Sequence, residues 1–222
     1  MALSPLDEVR QKIDRAARLA GRRPDEVTLL AISKMQSAEA IEGLIAQGQT
    51  EFGENRVQEA QAKWPALHAS HPDLRLHLVG QLQSNKAEEA VALFDTIHSV
   101  DRPSLVAALG KAVAKTGRSP GCFLQVNIGD EPQKGGCAVA DLPTLVETAK
   151  AAGLNIVGLM ALPPEGIESA PYFALLATLA RRHGLSGLSM GMSADFETAI
   201  MCGATHVRVG TALFGERGTA HG

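Results

Sequence analysis

The sequence is poor in the residues that mark disulfide-stabilised and zinc-binding proteins. It has three cysteines, Cys122, Cys137 and Cys202, which are odd in number, widely spaced and free of any CxxC or Cys/His spacing. This pattern indicates reduced thiols and points to neither a disulfide framework nor a zinc site. The histidines add no constellation of metal ligands, so we predict no metal.

Excess positive charge and long apolar runs are also missing. The formal net charge of −3 over 222 residues gives no basic field for binding a nucleic-acid backbone. The amino-terminal stretch carries charges throughout instead of the apolar core of a signal peptide, and no later run is long enough to span a bilayer. We therefore expect a cytoplasmic protein that binds neither nucleic acid nor a membrane.

What the sequence does contain is a regular alternation of short apolar runs with longer amphipathic segments. An amphipathic helix over about residues 4–20 comes first, before the first apolar run. Strands are predicted at residues 27–33, 50–52, 74–80, 96–100, 121–128, 155–162, 187–190 and 205–210. Helices are predicted between them at residues 38–47, 54–63, 85–93, 103–116, 141–152, 170–183 and 194–202.

Eight strand and helix units predict an α/β fold of one closed (β/α)8 TIM-like barrel with an extra N-terminal helix. An open doubly wound sheet would give the same alternation, but no GxGxxG loop follows the first strand, which favours the barrel. We expect one domain over residues 1–222, with the barrel at about 27–217 and a short disordered C-terminal tail. The loop at 129–136, rich in glycine and charge, is expected to be mobile.

Lys34 is the first residue of chemical interest, because it stands where the first strand ends. Barrel active sites are built at the carboxyl ends of strands, which would place its ammonium at the barrel mouth. Half-buried among apolar neighbours, such a lysine would have more free amine available to attack an aldehyde. The alternative is a lysine that packs its stem and keeps its charge in water, and Lys34 alone favours that alternative. Lys86 and Lys134 are other amines that could react with an aldehyde.

The last two units, GLSMGMSADFETAI and HVRVGTALFGER, each run from a strand through glycine to a helix start. In barrels, the loops after strands seven and eight often bind phosphate with the help of a helix amino terminus. Ser193 and Thr211 would supply hydroxyls, while Gly191 and Gly210 would let the backbone approach closely. Each of these residues alone fits an ordinary turn or cap, but two such junctions in succession favour a phosphate site.

Three further polar residues fall within or just after predicted strands. Arg208 alternates with valines in the last strand, so it must point into the barrel mouth or find a buried partner. If a pyridine ring reached from Lys34 to the phosphate loops, Arg208 could donate to the ring nitrogen and weaken the ring as an electron sink. A structural salt bridge is the alternative. Asn55 could contact the ring or cap a helix, and His77 is interpreted as a satisfied core residue.

Read in order, seven segments resemble the pyridoxal phosphate homeostasis protein family: LLAISK, EFGENRVQEA, HLVGQLQSNK, the KGG loop, GLMALPP, LSMGMSADFETAI and VRVGTALFG. The resemblance implies a barrel similar to the N-terminal domain of bacterial alanine racemase, with pyridoxal 5′-phosphate (PLP) as cofactor. Lys34 matches the Schiff-base lysine, Arg208 matches the arginine at the pyridine nitrogen, and Asn55 lies in the ring-contacting segment. The residues that correspond to the phosphate end are Met192 (through its backbone N–H), Ser193, Gly210 and Thr211.

The resemblance also implies a function in PLP (vitamin B6) homeostasis, with apo-PLP enzymes as acceptors and a monomer or weak dimer as the working form. The alternative is an amino-acid racemase-like enzyme. Racemisation needs a second base on the opposite face of the reacting carbon, which in alanine racemase is a tyrosine from a separate domain. The single tyrosine here, Tyr172, lies at a predicted helix start, and no residues remain for a second domain. We therefore expect a carrier without catalytic residues.

Overall fold

Eight parallel strands close into a barrel in which each strand pairs with the next in chain order and β8 returns to β1. The structure, a computed structural model, describes residues 3–215. The strands are β1 (Thr28–Ile32), β2 (Glu51–Glu54), β3 (Arg75–Leu78), β4 (Thr96–Val100), β5 (Gly121–Val126), β6 (Asn155–Ala161), β7 (Gly187–Ser189) and β8 (His206–Val209). The predicted closed barrel is confirmed, and the open sheet is wrong.

An outer layer of helices covers the strands. Within residues 3–215 these are α1 (Pro5–Leu19), α2 (Ala38–Ile45), α3 (Val57–Ser70), α4 (Ala87–Leu93), α5 (Pro103–Thr116), α6 (Leu142–Ala151), α7 (Ala170–Arg182), α8 (Phe196–Met201) and α9 (Thr211–Phe214). Short 3-10 turns precede β1, α4 and α6. None of the helices in this described range is long and apolar enough to cross a membrane.

Helix α1 is the predicted extra helix. The Ser4 hydroxyl caps its first turn by accepting from the N–H of Asp7, and Pro5 occupies the first helical position, where a missing N–H costs nothing. Its apolar residues recur at helical spacing and are buried on one face, against α8 and α9. The helix therefore supports the last two barrel units, which carry the predicted phosphate loops.

Helix α3 differs most from its prediction of residues 54–63. It begins later because Glu54 belongs to β2, and it continues through Pro65 as far as Ser70. An interior proline costs roughly 3 kcal/mol because it removes a hydrogen bond and crowds the preceding turn. Trp64 and Leu67 are buried in the core on either side, and burying each contributes about 2–3 kcal/mol, which offsets that cost.

The loop over 129–136 is anchored where it leaves and rejoins the barrel. The Asn127 side chain bonds the backbone N–H and carbonyl of Glu131, and the Asn127 N–H donates to the carbonyl of Cys137. Mobility of the residues between these anchors stays a prediction. The C-terminal tail predicted to be disordered lies outside the described residues.

Candidate functional site

A cavity of about 360 Å³ opens where the strands end at their carboxyl side. This volume falls within the range of about 300–1,000 Å³ that is usual for small-molecule sites. The cavity brings together residues from the segments that follow β1, β2, β7 and β8. All the cofactor-binding residues predicted from the sequence line it, namely Lys34, Asn55, Met192, Ser193, Arg208, Gly210 and Thr211.

Lys34 lies in the turn that follows Ile32, the last residue of β1. The N–H of Gln36 closes this turn on the carbonyl of Ser33 at 3.1 Å, and Met35 adopts a left-handed φ of 60°. The Lys34 side chain lines the cavity but is exposed. The expected half-burial is therefore wrong, because the strand ends before the lysine and the turn places it at the rim.

A lysine on α3 contacts the backbone of this turn. The ammonium of Lys63 lies 3.0 Å from the carbonyl oxygen of Ser33 and 3.3 Å from that of Gln36. It also pairs with Glu59, at 3.1 Å, and the same carboxylate accepts from the backbone N–H of Met35. Three backbone groups around Lys34 are thus fixed by two side chains of one helix.

The charge of Lys63 is balanced by a carboxylate inside the barrel wall. Glu54 is fully buried, and its Oε1 lies 2.8 Å from the Lys63 ammonium. The same oxygen accepts from the Ser33 hydroxyl at 2.8 Å and from the Trp64 indole N–H at 3.1 Å. A buried carboxylate with this many donors depends on its cation, because the charge has lost its water.

We expect Lys63→Met to lower the free energy of unfolding by about 3 kcal/mol, because it leaves Glu54 buried and uncompensated. Urea unfolding followed by circular dichroism measures the loss. Lys150→Met is the matched control: Lys150 pairs with Glu147 on the surface, so its loss should stay within about 0.5 kcal/mol. Equal effects of the two substitutions would contradict a structural role for the buried pair.

Arg208 is a buried cation in the cavity wall, with 5% of its surface exposed. Its Nη2 donates to the carbonyl of Ala161 at 3.1 Å, and its Nη1 lies 3.5 Å from the Ser189 hydroxyl. Its Nε is buried with no hydrogen-bond partner among the described residues. Burial lowers the pKa of this guanidinium to about 10, which still leaves it charged at neutral pH. Within residues 3–215 Arg208 forms no ion pair, so the alternative of a structural salt bridge does not hold.

The two glycine junctions lie side by side in the cavity wall, because β7 and β8 are neighbours. Ser193 and Thr211 are exposed there. Gly191 has a φ of 91°, and an added Cβ would lie 2.5 Å from the Cβ of Ala199, so only glycine fits. The helices that follow are six and four residues long, so the dipole contribution expected from the sequence is small.

Met192 lies in the cavity wall, but its backbone N–H is not free. It donates to Asp195 Oδ1 at 2.7 Å. Asp195 occupies the N-cap position of α8, a position that the sequence pattern did not assign to it. An anion could use the Met192 N–H only by displacing this carboxylate, so the availability of that N–H, as expected from the sequence, is wrong for this structure.

Asn55 is held by a close approach between two strand ends. Gly80 follows β3, and a Cβ added there would lie 2.2 Å from the carbonyl oxygen of Asn55. The backbone of Asn55 therefore has its position only because residue 80 is glycine. The N-cap of α3 is Arg56 rather than Asn55, so the alternative role of Asn55 as a helix cap does not apply.

Two other lysines and the tyrosine considered from the sequence do not line the cavity. Lys86 pairs with Glu89 at 3.0 Å, and Lys134 pairs with Glu131 at 2.6 Å. Tyr172 packs against the hydrophobic core. Among the described residues that line the cavity, only Lys34 and Arg208 carry titratable side chains.

Sequence reasoning missed a group of buried polar residues inside the barrel. His77 is hydrogen-bonded in the core, as interpreted from the sequence, and its partners include His98, which is fully buried. Ser189 of β7 is also fully buried and contacts His98. The only signal in the sequence was the recurrence of single polar residues within apolar strands, which is too common to indicate a network.

The comparisons with known proteins agree with this geometry. The family model described as alanine racemase, N-terminal domain, matches residues 5–218. The pyridoxal phosphate homeostasis protein of Pseudomonas aeruginosa is 44% identical over 217 residues, which cover 95% of this chain and 93% of that protein. The chain belongs to the pyridoxal phosphate homeostasis protein family.

Solved structures extend the family match to the fold. PipY of Synechococcus elongatus PCC7942, solved with PLP bound, is 43% identical, covers 92% of this chain and all of that chain, and has a TM-score of 0.77. The same protein solved without PLP has a TM-score of 0.78. The match to alanine racemase of Clostridium difficile 630 covers 95% of this chain and 57% of the racemase chain, with a TM-score of 0.70. At 12% identity this match shows only that the two proteins share the barrel fold.

Proposed function

We propose that this protein binds PLP in the cavity as a Schiff base on Lys34 and serves PLP homeostasis as a carrier. The observation that carries the proposal is the arrangement of three groups around one cavity. An amine, Lys34, a buried guanidinium, Arg208, and the hydroxyls of Ser193 and Thr211 all line this cavity. Aldehyde, pyridine nitrogen and phosphate are the three parts of PLP that need such groups.

The residues present fit the cofactor in a second respect. The Nε–H of Arg208 is buried with no acceptor within residues 3–215, which costs free energy in the protein alone. A pyridine nitrogen that reached Arg208 would give this N–H its acceptor. Because a guanidinium only donates hydrogen bonds, Arg208 would hold that nitrogen unprotonated. When bound, PLP supplies an aldehyde for Schiff-base formation and a ring that can accept electrons, and Arg208 would weaken the second property.

A carrier fits the cavity better than a racemase does. Exchange of a proton on both faces of a carbon needs two acid–base groups, and Lys34 is the one such group that lines the cavity among the described residues, since Arg208 stays charged. We expect no racemisation of alanine by the PLP-loaded protein. Turnover at an ordinary enzymatic rate, above about 1 s⁻¹, would overturn the carrier proposal.

The proposal is tested by the colour and mass of the protein. Protein purified and incubated with PLP should absorb in the visible range, and borohydride should fix the mass of the reduced cofactor on the peptide that contains Lys34. A colourless protein that stays unmodified in excess PLP would refute the proposal. Mass on peptides with Lys86 or Lys134 instead would refute the assignment to Lys34.

Delivery to apo-enzymes is the finer part of the proposal. The rate of PLP transfer to an apo-PLP enzyme should be measured while the acceptor concentration is varied. We expect a rate that is independent of acceptor concentration, because the exposed rim position of Lys34 leaves release to solvent open. A rate that rises in proportion to acceptor concentration would show that transfer requires contact.

A further inference from the structure

A series of hydrogen bonds crosses the inside of the barrel from its far mouth to the cavity wall. Glu51, at the start of β2, places Oε2 2.7 Å from His77 Nε2. His77 Nδ1 lies 2.9 Å from His98 Nε2, and His98 Nδ1 lies 2.8 Å from Ser189 Oγ. Ser189 Oγ lies 3.5 Å from Arg208 Nη1. We call these five residues the interior chain.

The two ends of the interior chain set its direction. Arg208 can only donate, so the Ser189 oxygen accepts from it, and His98 Nδ1 is the only other hydrogen-bond partner of this hydroxyl among the described residues, so it receives the Ser189 hydrogen. His98 then carries its proton on Nε2 and donates to His77 Nδ1. His77 in turn carries its proton on Nε2 and donates to Glu51, which as a carboxylate only accepts. Every hydrogen in the chain thus points away from the cavity.

Burial protects this single arrangement. His98 and Ser189 are fully buried, and His98 stacks on Phe123 with ring centroids 4.4 Å apart, which holds the imidazole plane. Burial keeps the pKa of His98 well below its usual 6.5. A neutral His98 is what the chain requires, because a protonated ring would donate from both nitrogens and leave the Ser189 hydrogen without an acceptor.

The far end of the chain is negatively charged and touches water. The Glu51 side chain is 30% exposed and lines a polar cleft at the opposite mouth with Arg75 and His206. Burial alone would raise the pKa of Glu51, but the hydrogen bond from His77 and the nearby charge of Arg75 hold this pKa below its usual value. His206, whose pKa burial lowers to about 4, stays neutral beside it. The chain therefore joins a fixed carboxylate at one mouth to a fixed guanidinium at the other.

We propose that Glu51, His77, His98 and Ser189 are positioning residues that fix the orientation of Arg208 against the pyridine nitrogen of the bound cofactor. The inference rests on the proposed function. The interior chain contacts Nη1 through Ser189, and the Ala161 carbonyl accepts from Nη2, so two of the three guanidinium nitrogens are hydrogen-bonded within the barrel. Nε is the one nitrogen that these contacts leave for a ligand.

Ser189→Ala is the most conservative substitution that interrupts the interior chain, and Ser99→Ala is its matched control. Ser99 is also fully buried in the barrel, but its hydroxyl has no hydrogen-bond partner among the described residues. We expect Ser189→Ala to speed dissociation of PLP about tenfold, the effect of losing one hydrogen bond to a charged group, and to shift the visible band. Ser99→Ala should leave both unchanged.

His98→Gln and His98→Phe test the middle of the chain. Glutamine offers an amide N–H group as donor and a carbonyl oxygen as acceptor. His98→Gln should therefore keep the position of the visible band and keep the PLP dissociation rate within about twofold of that of the original protein. Phenylalanine keeps the stacking on Phe123 but breaks both hydrogen bonds, so it should behave as Ser189→Ala does. Thermal unfolding of each variant without PLP separates loss of stability from loss of positioning.

The protein without cofactor gives an independent readout. Nitrogen NMR of labelled histidines should show His98 protonated on Nε2 alone at neutral pH, and a His98 protonated on Nδ1 would overturn the chain direction. The original protein could show the visible band while Ser189→Ala and His98→Phe leave both the band and the PLP dissociation rate unchanged. That result would overturn the positioning role but not the proposed function. If the original protein forms no band at all, the proposed function fails and this inference fails with it.

Discussion

Replacing Lys34 with alanine should abolish the borohydride-fixed PLP adduct and the visible absorption band completely. The amine of Lys34 is the nucleophile of the proposed Schiff base, and no other amine lines the cavity within the described part of the chain. Absorbance spectroscopy and intact-mass measurement after reduction give the result directly. PLP held only by noncovalent contacts should still exchange with the cavity, at an affinity lower by more than about 100-fold.

Lys86→Ala and Lys134→Ala are the controls for this experiment. Their ammonium groups lie in ion pairs with Glu89 and Glu131 and do not line the cavity, so both variants should keep the full adduct. A Lys34→Ala protein that retained a stoichiometric adduct would show that another amine is the main site. An adduct lost equally in all three variants would point to a general loss of fold instead.

The second large effect is expected at the phosphate end of the cavity. Ser193→Asp should weaken PLP binding by about 100-fold, because a carboxylate placed within a few ångströms of a phosphate repels it strongly in a partly desolvated site. The affinity for pyridoxal, which has the same ring and aldehyde but no phosphate, should fall by less than about threefold. Titration of both ligands by absorbance measures the two affinities.

Ser193→Asn keeps the size of the aspartate substitution without its charge, so it separates repulsion from crowding. We expect Ser193→Asn to lower the affinity for PLP by less than about tenfold. If Ser193→Asp weakened PLP and pyridoxal equally, Ser193 would not lie at the phosphate and the orientation proposed for the cofactor would be reversed or wrong.

Much of the fold was predictable because its signals are local. Most strands of this barrel are short apolar runs, and the longer helices have apolar residues at helical spacing, so counting the units was enough to predict a closed barrel. Lys34, Ser193 and Thr211 could be placed at one mouth for the same reason, since the carboxyl ends of all parallel strands face one way. Their cofactor-binding role stays a prediction that the experiments above address.

What the sequence could not predict depends on contacts between distant segments. The exposure of Lys34 follows from a turn held by Lys63 on another element, and the occupied N–H of Met192 follows from the place where α8 begins. The interior chain needs the register of the strands, for example the pairing of His77 with Thr96, before His98 can be seen beside it. No periodicity in the sequence carries that information.

The turn around Lys34 has a consequence for how fast the cavity could fill and empty. Its restraints come from Lys63 and Glu59, which belong to α3 and not to the lining of the cavity, so they do not depend on a ligand. The amine is therefore presented by a preformed backbone, and little conformational entropy would be lost when an aldehyde arrives. Occupancy could then follow the free aldehyde concentration without a folding step in between, which is the response that a reservoir needs.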